Sequence, residues 1–168
     1  MAELSQDALE AMAAGLGAVL LGKGWRLAAA ESCTGGWAAQ AITALAGSSA
    51  WFERGFVTYS NEAKTDMLGV LADTLERHGA VSEETVREMA AGALRNSRAQ
   101  AAFAISGIAG PGGGSDSKPV GTVCFAWATA NGPVRAETRR FAGDRRQVRM
   151  QAVAYAFREM QADLAAMP

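Results

Sequence analysis

Apolar positions along this 168-residue chain follow two different patterns. Near the start they recur every three or four residues, which predicts an amphipathic helix over residues 5–22. The positions that carry this spacing are Leu9, Met12, Leu16, Val19 and Leu20. Further along, apolar residues form short unbroken runs, which are typical of strands buried in a sheet.

These runs predict five strands, which cover residues 25–30, 55–60, 101–106, 121–129 and 134–141. The last two are joined through Asn131-Gly132, the strongest short signal for a β-hairpin. Helices are predicted in the remaining segments: one opened by Gly35 and Gly36 and stopped by Gly47, one over 61–69, one over 83–97 and a last one capped by Asp144.

The order of these elements predicts the fold class. Helices between the early strands imply parallel pairing, and the hairpin adds antiparallel pairs. We therefore expect a single three-layer α/β domain over residues 1–168, with a mixed sheet of about five strands and helices on both faces. No internal repeat or linker interrupts the pattern.

Composition narrows the partners and the compartment. The net charge is -1, with no long basic run, so we expect no nucleic-acid partner and no membrane surface. The uncharged stretch 11–22 is too short to cross a bilayer, and the acidic residues before it are opposite to a secretory signal. The two cysteines, Cys33 and Cys124, are expected to be free thiols in the cytoplasm. A homo-oligomer is compatible with the sequence, which leaves the oligomeric state open.

Metal and histidine chemistry are disfavoured. The single histidine, His78, lies in a polar stretch without a supporting motif, and the chain lacks clustered zinc ligands. We therefore expect no metal and no cofactor. A Ser-His-Asp triad is excluded on the same ground. The remaining candidates for a base are a tyrosine or one of three lysines, among which Lys64 and Lys118 lie in motif-like segments.

The segment AESCTGGW, residues 30–37, places hydroxyl and thiol side chains where a strand should end and a helix should begin. Free N–H groups at a helix start favour an anion, so a nucleophile at Ser32 could use the N–H groups of Thr34 and Gly35 as an oxyanion hole. The alternative reading makes Ser32 or Thr34 a plain helix cap and Cys33 a packing residue. Spacing alone leaves both open.

Two further segments could join such a site. TYSNEAK, residues 58–64, ends a strand and enters a helix, so Tyr59 and Lys64 would lie at the same sheet edge as Ser32; the alternative is an ordinary aromatic and a solvated lysine. The loop after residue 106 holds six glycines between 107 and 121, and offers many backbone N–H groups to an anion. It matches no standard phosphate-binding motif, and flexible connections look similar.

Together these segments resemble the C-terminal domain family of the competence-damage-inducible protein CinA, the nicotinamide-nucleotide amidohydrolases. The matching stretches are AESCTGG at 30–36, TYSNEAK at 58–64, LGV at 68–70, SGIAGPGGG at 106–114, KPVGTV at 118–123 and FAGDRRQVR at 141–149. The resemblance implies hydrolysis of nicotinamide mononucleotide to nicotinate mononucleotide and ammonia, in pyridine-nucleotide salvage.

The resemblance also implies roles for individual residues. It makes Ser32 the nucleophile, with Tyr59 and Lys64 beside it as proton handlers. The substrate-binding residues are then Thr34, Gly35 and Gly36 at the helix start, Ser106, Gly107 and Gly110 around the glycine loop, and Arg145 for the phosphate. Two other functions stay open at this point: a nucleotide-binding module without turnover, and an amidase centred on Cys33.

Overall fold

The computed structural model describes residues 3–168, and its centre is one five-stranded sheet in the order β2-β1-β3-β4-β5. The strands are β1 Leu27–Glu31, β2 Phe52–Val57, β3 Ala101–Gly107, β4 Thr122–Thr129 and β5 Arg135–Arg140. Strand β1 pairs in parallel with β2 and β3, whereas β3–β4 and β4–β5 are antiparallel. The predicted mixed sheet of five strands is confirmed.

Six α-helices flank this sheet within residues 3–168. They are α1 Gln6–Lys23, α2 Trp37–Thr43, α3 Asn61–Leu68, α4 Ala72–His78, α5 Glu83–Arg95 and α6 Arg145–Ala166. Their caps follow the sequence, because Asp144 accepts a hydrogen bond from the Gln147 N–H at the start of α6. No helix in this part of the chain combines the length and the apolar character that crossing a bilayer requires.

Three elements differ from the prediction by more than two residues. Helix α4 was not predicted, because its short sequence has little apolar periodicity and Leu71 before it is exposed. Helix α2 ends at Thr43 rather than near Gly47, and a 3-10 turn, Ser48–Ala50, follows it. Strand β2 covers 52–57 rather than 55–60, because Tyr59 and Ser60 already lead into α3.

The two faces of the sheet carry side chains of different size. Strand residues that face α1, α2 and α6 are mostly large: Leu27, Phe103, Ile105, Phe125 and Trp127. Those that face α3 and α5 are mostly alanine: Ala28, Ala30, Ala102, Ala104, Ala126 and Ala128. Helices therefore cover both faces, as predicted, and the small side chains let α5 lie close to the strands.

The crossing of α3 and α5 is close because of a glycine. A Cβ added at Gly92 of α5 would lie 1.9 Å from the Leu68 carbonyl oxygen at the end of α3. Arg95 donates a hydrogen bond to the same carbonyl at 2.9 Å, and Asn96 donates one to the Met67 carbonyl at 2.9 Å. Helix α3 is thus held in one place against the sheet, which matters because it carries Lys64.

Candidate active site

The loop between β1 and α2, residues 32–36, lies where parallel strands β1, β2 and β3 end together. This edge is the usual location of sites in open α/β sheets. The Ser32 N–H donates to the Ile105 carbonyl at 3.0 Å, so the loop begins anchored to β3. Gly35 and Gly36 have φ angles of +60° and +95°, which side chains other than glycine rarely adopt. The sharp turn into α2 therefore requires this pair of glycines.

A buried carboxylate, Glu31, supports this loop from the inside. Its Oε1 accepts from the Thr34 hydroxyl at 2.6 Å and the Ala38 N–H at 2.9 Å, and its Oε2 accepts from the Ala39 N–H at 3.0 Å. These bonds satisfy free N–H groups at the start of α2. Thr34 is buried and directs its hydroxyl to Glu31, so its side chain supports the loop. Glu31 was not among the predicted site residues, although an acidic residue at the end of a buried run is a usable signal.

The loop is held from the outside by Arg149 of α6. Its Nε donates to the Cys33 carbonyl at 2.9 Å, and its Nη2 donates to the Thr34 carbonyl at 3.1 Å. The guanidinium also lies over the ring of Trp37, 5.2 Å from the ring centroid. Arg149 was not among the predicted site residues, because its partners are more than 110 positions away along the chain.

Lys64 extends from α3 to Ser32. Its Nζ lies 2.9 Å from the Ser32 Oγ, 2.8 Å from the Thr58 carbonyl and 3.2 Å from the Tyr59 carbonyl. The Lys64 side chain is 1% exposed and Ser32 is 8% exposed. No salt bridge reaches this lysine among residues 3–168.

In the structure the Lys64 Nζ donates to the Ser32 Oγ and to the two carbonyls, which the three N–H groups of an ammonium can do, and the same positions also suit a neutral amine. A neutral lysine has two N–H donors and one lone pair, and the two carbonyls can only accept, so they take the N–H donors. The lone pair then faces the Ser32 hydroxyl, which can donate its proton to it. Burial lowers the pKa of Lys64 from its ordinary 10.5, against a smaller opposing effect of Cys33, which favours this neutral form.

Cys33 lies beside this pair but is poorly suited to attack. Its thiol is buried, and burial raises its pKa to about 11, although Arg149 acts in the opposite direction. A thiol with this pKa stays protonated at neutral pH, and only the thiolate is a strong nucleophile. The structure therefore gives Ser32, and not Cys33, a partner that can remove its proton.

Tyr59 and Arg145 form a second pair at the mouth of the site. Tyr59 is 63% exposed, and its hydroxyl lies 3.5 Å from the Arg145 Nη2. The Arg145 Nη1 donates to the Gly110 carbonyl at 2.8 Å, which joins the start of α6 to the glycine loop. Tyr59 thus reaches the Ser32–Lys64 pair through its backbone carbonyl, whereas its hydroxyl faces Arg145.

The remaining predicted residues lie at the end of β3. Ser106 is buried opposite Cys124 of β4, and Gly107 ends the strand. A Cβ at Gly107 would lie 2.7 Å from the Val123 side chain, so this glycine serves close packing between β3 and β4.

Beside Lys64, the buried Thr58 Oγ1 has no hydrogen-bond partner within the described part of the chain.

Backbone donors around Ser32 divide into used and free ones. The Gly35 N–H donates to the Ser32 carbonyl at 3.0 Å, and the Trp37 N–H donates to the Thr34 carbonyl at 3.0 Å. Among residues 3–168, the N–H groups of Thr34 and Gly36 have no backbone or side-chain acceptor. Of the two N–H groups predicted to bind an oxyanion, Thr34 is free and Gly35 is engaged.

The geometry contains no evident metal site. Over residues 3–168, no three His, Cys, Asp or Glu side chains are grouped so that they could hold a metal ion. Glu31, the acidic residue nearest Ser32 along the chain, has its oxygens occupied by Thr34 and helix N–H groups. The arrangement is suited to acyl transfer: a nucleophile, an adjacent base and free backbone donors.

Comparisons with known proteins match nearly the whole chain. The family model described as "CinA C-terminal domain" matches residues 9–164. The nicotinamide-nucleotide amidohydrolase PncC of Escherichia coli strain K12 is 60% identical over 145 residues, which cover 86% of this chain and 88% of that protein.

Solved structures give the same result. The competence/damage-inducible protein CihA from Agrobacterium tumefaciens has a TM-score of 0.91 and 46% identity, covering 98% of this chain and 99% of that one. A CinA superfamily protein from Klebsiella pneumoniae has a TM-score of 0.90 and 44% identity, covering 95% and 99%. The resemblance inferred from the sequence motifs is confirmed.

Proposed function

This chain belongs to the family of CinA C-terminal domains, and on that premise we propose that it is a nicotinamide-nucleotide amidohydrolase. Its substrate is then the carboxamide of nicotinamide mononucleotide, and its products are nicotinate mononucleotide and ammonia. The observation that carries the proposal is the buried 2.9 Å contact between the Lys64 Nζ and the Ser32 Oγ, in which the lysine has no carboxylate partner among residues 3–168.

The first half of the reaction forms an ester on Ser32. Neutral Lys64 takes the hydroxyl proton while the Ser32 Oγ attacks the carboxamide carbon. The oxygen of the tetrahedral intermediate becomes negative and is stabilised by free backbone donors such as the Thr34 N–H. The carbon–nitrogen bond then breaks, and Lys64 returns its proton to the departing nitrogen, which leaves as ammonia.

The second half releases the acid. A water molecule gives a proton to Lys64 and attacks the ester carbon, and collapse of the second tetrahedral intermediate restores the Ser32 hydroxyl. One water is consumed for each carboxamide, and the products are a carboxylate and an ammonium ion at neutral pH. Every proton moves through Lys64, so the scheme requires neither a metal nor an organic cofactor.

The mouth of the site supports recognition of the phosphate. Arg145 is exposed and already bonded to the glycine loop through the Gly110 carbonyl, and Tyr59 contacts the same guanidinium. An arginine that keeps free N–H groups can bind a phosphate in a bidentate manner. We therefore expect nicotinamide mononucleotide to be a much better substrate than nicotinamide riboside.

The experiment that tests the function is an ammonia-release assay on nicotinamide mononucleotide with two neighbouring variants. Ser32→Ala should abolish turnover, because it removes the nucleophile, by ~10⁴-fold or more. Cys33→Ala should keep most of it, because the thiol is protonated and serves packing. Absence of ammonia from the wild type would favour a binding module, and the reverse pattern in the variants would favour a thiol amidase.

Two further measurements test the rest of the proposal. Activity should persist after exhaustive chelation, and loss that one divalent metal restores would contradict the Ser32–Lys64 scheme. Equal kcat/KM for the mononucleotide and the riboside would contradict phosphate recognition by Arg145. Both assays use the same ammonia readout.

The cytoplasm is the compartment that we propose for this activity. Cys33 and Cys124 are both free and buried, which is usual where thiols are kept reduced. Fractionation of cells that express the tagged chain, with compartment markers, would test the location. Recovery in an oxidising compartment would contradict it.

A further inference from the structure

We propose that Arg149 is a positioning residue that orients the Thr34 N–H as an oxyanion donor. The inference rests on the proposed function, because an oxyanion forms only if the chain hydrolyses an acyl group. Arg149 lies on α6, far in sequence from Ser32, and its guanidinium binds carbonyl oxygens of the loop that carries the nucleophile.

The peptide group between Cys33 and Thr34 links Arg149 to the Thr34 N–H. The bond between Cys33 and Thr34 is trans, so the Cys33 carbonyl and the Thr34 N–H point in opposite directions within one rigid plane. The Arg149 Nε holds that carbonyl at 2.9 Å. Fixing the carbonyl therefore fixes the direction of the N–H, which points away from Arg149.

The Thr34 N–H donates no hydrogen bond to the described residues. The next N–H along the loop, that of Gly35, donates to the Ser32 carbonyl at 3.0 Å and is engaged in the turn. The Thr34 N–H has no such acceptor among the described residues, although the Thr34 side chain is fully buried. An oriented backbone donor without a partner, two residues after a nucleophile, is what a tetrahedral intermediate needs.

The positive charge of Arg149 also strengthens the Thr34 N–H as a donor. A cation that donates to a carbonyl polarises the peptide group, and its N–H then becomes a stronger donor. Arg149 makes two such bonds, to the Cys33 and Thr34 carbonyls, with a planar fork that lysine cannot reproduce. Stacking on Trp37, whose Nε1 donates to Gln6 at 2.7 Å, holds the fork in place.

The chain offers a matched control on the same helix. Arg146 also lies over the Trp37 ring, 5.8 Å from its centroid, but it is exposed and has no hydrogen bond to the loop in the described structure. Replacing Arg146 removes one positive charge and one stacking contact from nearly the same place. The replacement leaves the hydrogen bonds from Arg149 to the Cys33 and Thr34 carbonyls in place.

The experiment compares Arg149→Met, Arg149→Lys and Arg146→Met in steady-state hydrolysis of nicotinamide mononucleotide and of its thioamide analogue. Arg149→Met should lower kcat ~30-fold or more with KM changed less than about threefold, because the lost interaction belongs to the transition state. Arg149→Lys should recover only part of kcat, and Arg146→Met should stay within about twofold of the wild type.

The thioamide gives a readout that a merely structural role would not move. Sulfur accepts hydrogen bonds poorly, so a working oxyanion hole makes the wild type prefer the amide. This preference should shrink ~10-fold or more in Arg149→Met and persist in Arg146→Met. Circular dichroism and binding of the substrate to Arg149→Met carrying Ser32→Ala check that the loop still folds.

The outcomes separate the inference from the function on which it rests. A wild type that releases no ammonia overturns the proposed function. An active wild type with an unchanged kcat or an unchanged amide preference in Arg149→Met overturns only the positioning role. A raised KM at constant kcat would also overturn it, because Arg149 would then bind the ground-state substrate.

Discussion

Lys64 and Arg135 are both basic side chains, one buried and one partly exposed, and their surroundings shift their pKa values in opposite directions. Burial lowers the pKa of each. Around Arg135 this effect is outweighed by a hydrogen bond to Asp163 and by nearby carboxylates, so its pKa is raised overall. Within the described residues the Lys64 Nζ meets only carbonyl oxygens and a hydroxyl, so burial lowers its pKa without an opposing carboxylate.

The surroundings of Arg135 explain its retained charge. It makes ion pairs with Glu137, Glu159 and Asp163 at 3.0 to 3.2 Å, and its guanidinium lies 4.0 Å from the Trp127 ring centroid. Such a network stabilises a cation and joins β5 to α6. Lys64 has no such partners within residues 3–168. Because no carboxylate stabilises its charge, the buried amine can lose its proton and act as a base.

The largest effect should come from exchanging the two kinds of cation at the active site. Lys64→Arg keeps a positive charge but cannot deprotonate, so kcat should fall ~10³-fold, as far as in Lys64→Met. Steady-state ammonia release measures both. If Lys64→Arg keeps more than a tenth of the wild-type kcat, the lysine acts as electrostatic support and is not the base.

A carboxylate near Lys64, like those around Arg135, should keep the amine protonated and so reduce the fraction that can act as a base. Thr58→Asp places a carboxylate next to the carbonyl that accepts from the Lys64 Nζ at 2.8 Å. The pKa of Lys64 should rise, so the rising limb of the kcat–pH profile should move to higher pH and kcat at neutral pH should fall. Thr58→Asn is the matched neutral control, and an identical profile for both variants would contradict the charge argument.

The lowered pKa of Lys64 should also appear in stability. Between the folded pKa and the ordinary 10.5, the unfolded chain binds more protons than the folded one, so stability rises with pH in this window. Relative to Lys64→Met, the wild type should gain up to about 1.4 kcal/mol per pH unit there. Urea unfolding at several pH values measures the difference, and a flat difference would contradict a depressed pKa.

The smallest effect should come from Arg135. Arg135→Met removes the cation but keeps an apolar side chain over Trp127, and it leaves three carboxylates near one another. Unfolding free energy should fall by about 1 kcal/mol, with Tm lower by roughly 2–4 °C and kcat unchanged. A loss of activity without loss of stability would contradict the purely structural role that distinguishes Arg135 from Lys64.

Much of the fold was predictable because it depends on local patterns. Short apolar runs marked the strands, and Asn131-Gly132 marked the turn between β4 and β5. The proximity of Ser32 and Lys64 was also predictable, because both residues follow the ends of neighbouring parallel strands. Helix α4 was missed because its sequence lacks an apolar stripe.

The supports of the site could not be predicted in the same way. Arg149 reaches the loop from more than 110 positions away, and no local pattern distinguishes it from the other arginines of α6. The pKa of Lys64 depends on burial and on the absence of nearby carboxylates, which only the packed structure defines. The engagement of the Gly35 N–H is likewise a property of the turn geometry.

Gly92 illustrates how far from the chemistry a functional requirement can lie. Any side chain there would collide with the Leu68 carbonyl and displace α3, and with it the Nζ of Lys64. A deep mutational scan scored by growth that depends on deamidation of nicotinamide mononucleotide would therefore rank Gly92 beside Ser32. In that scan, substitutions of Ser32 would fail because a reacting atom is lost. Substitutions of Gly92 would fail because α3 and α5 could no longer approach each other.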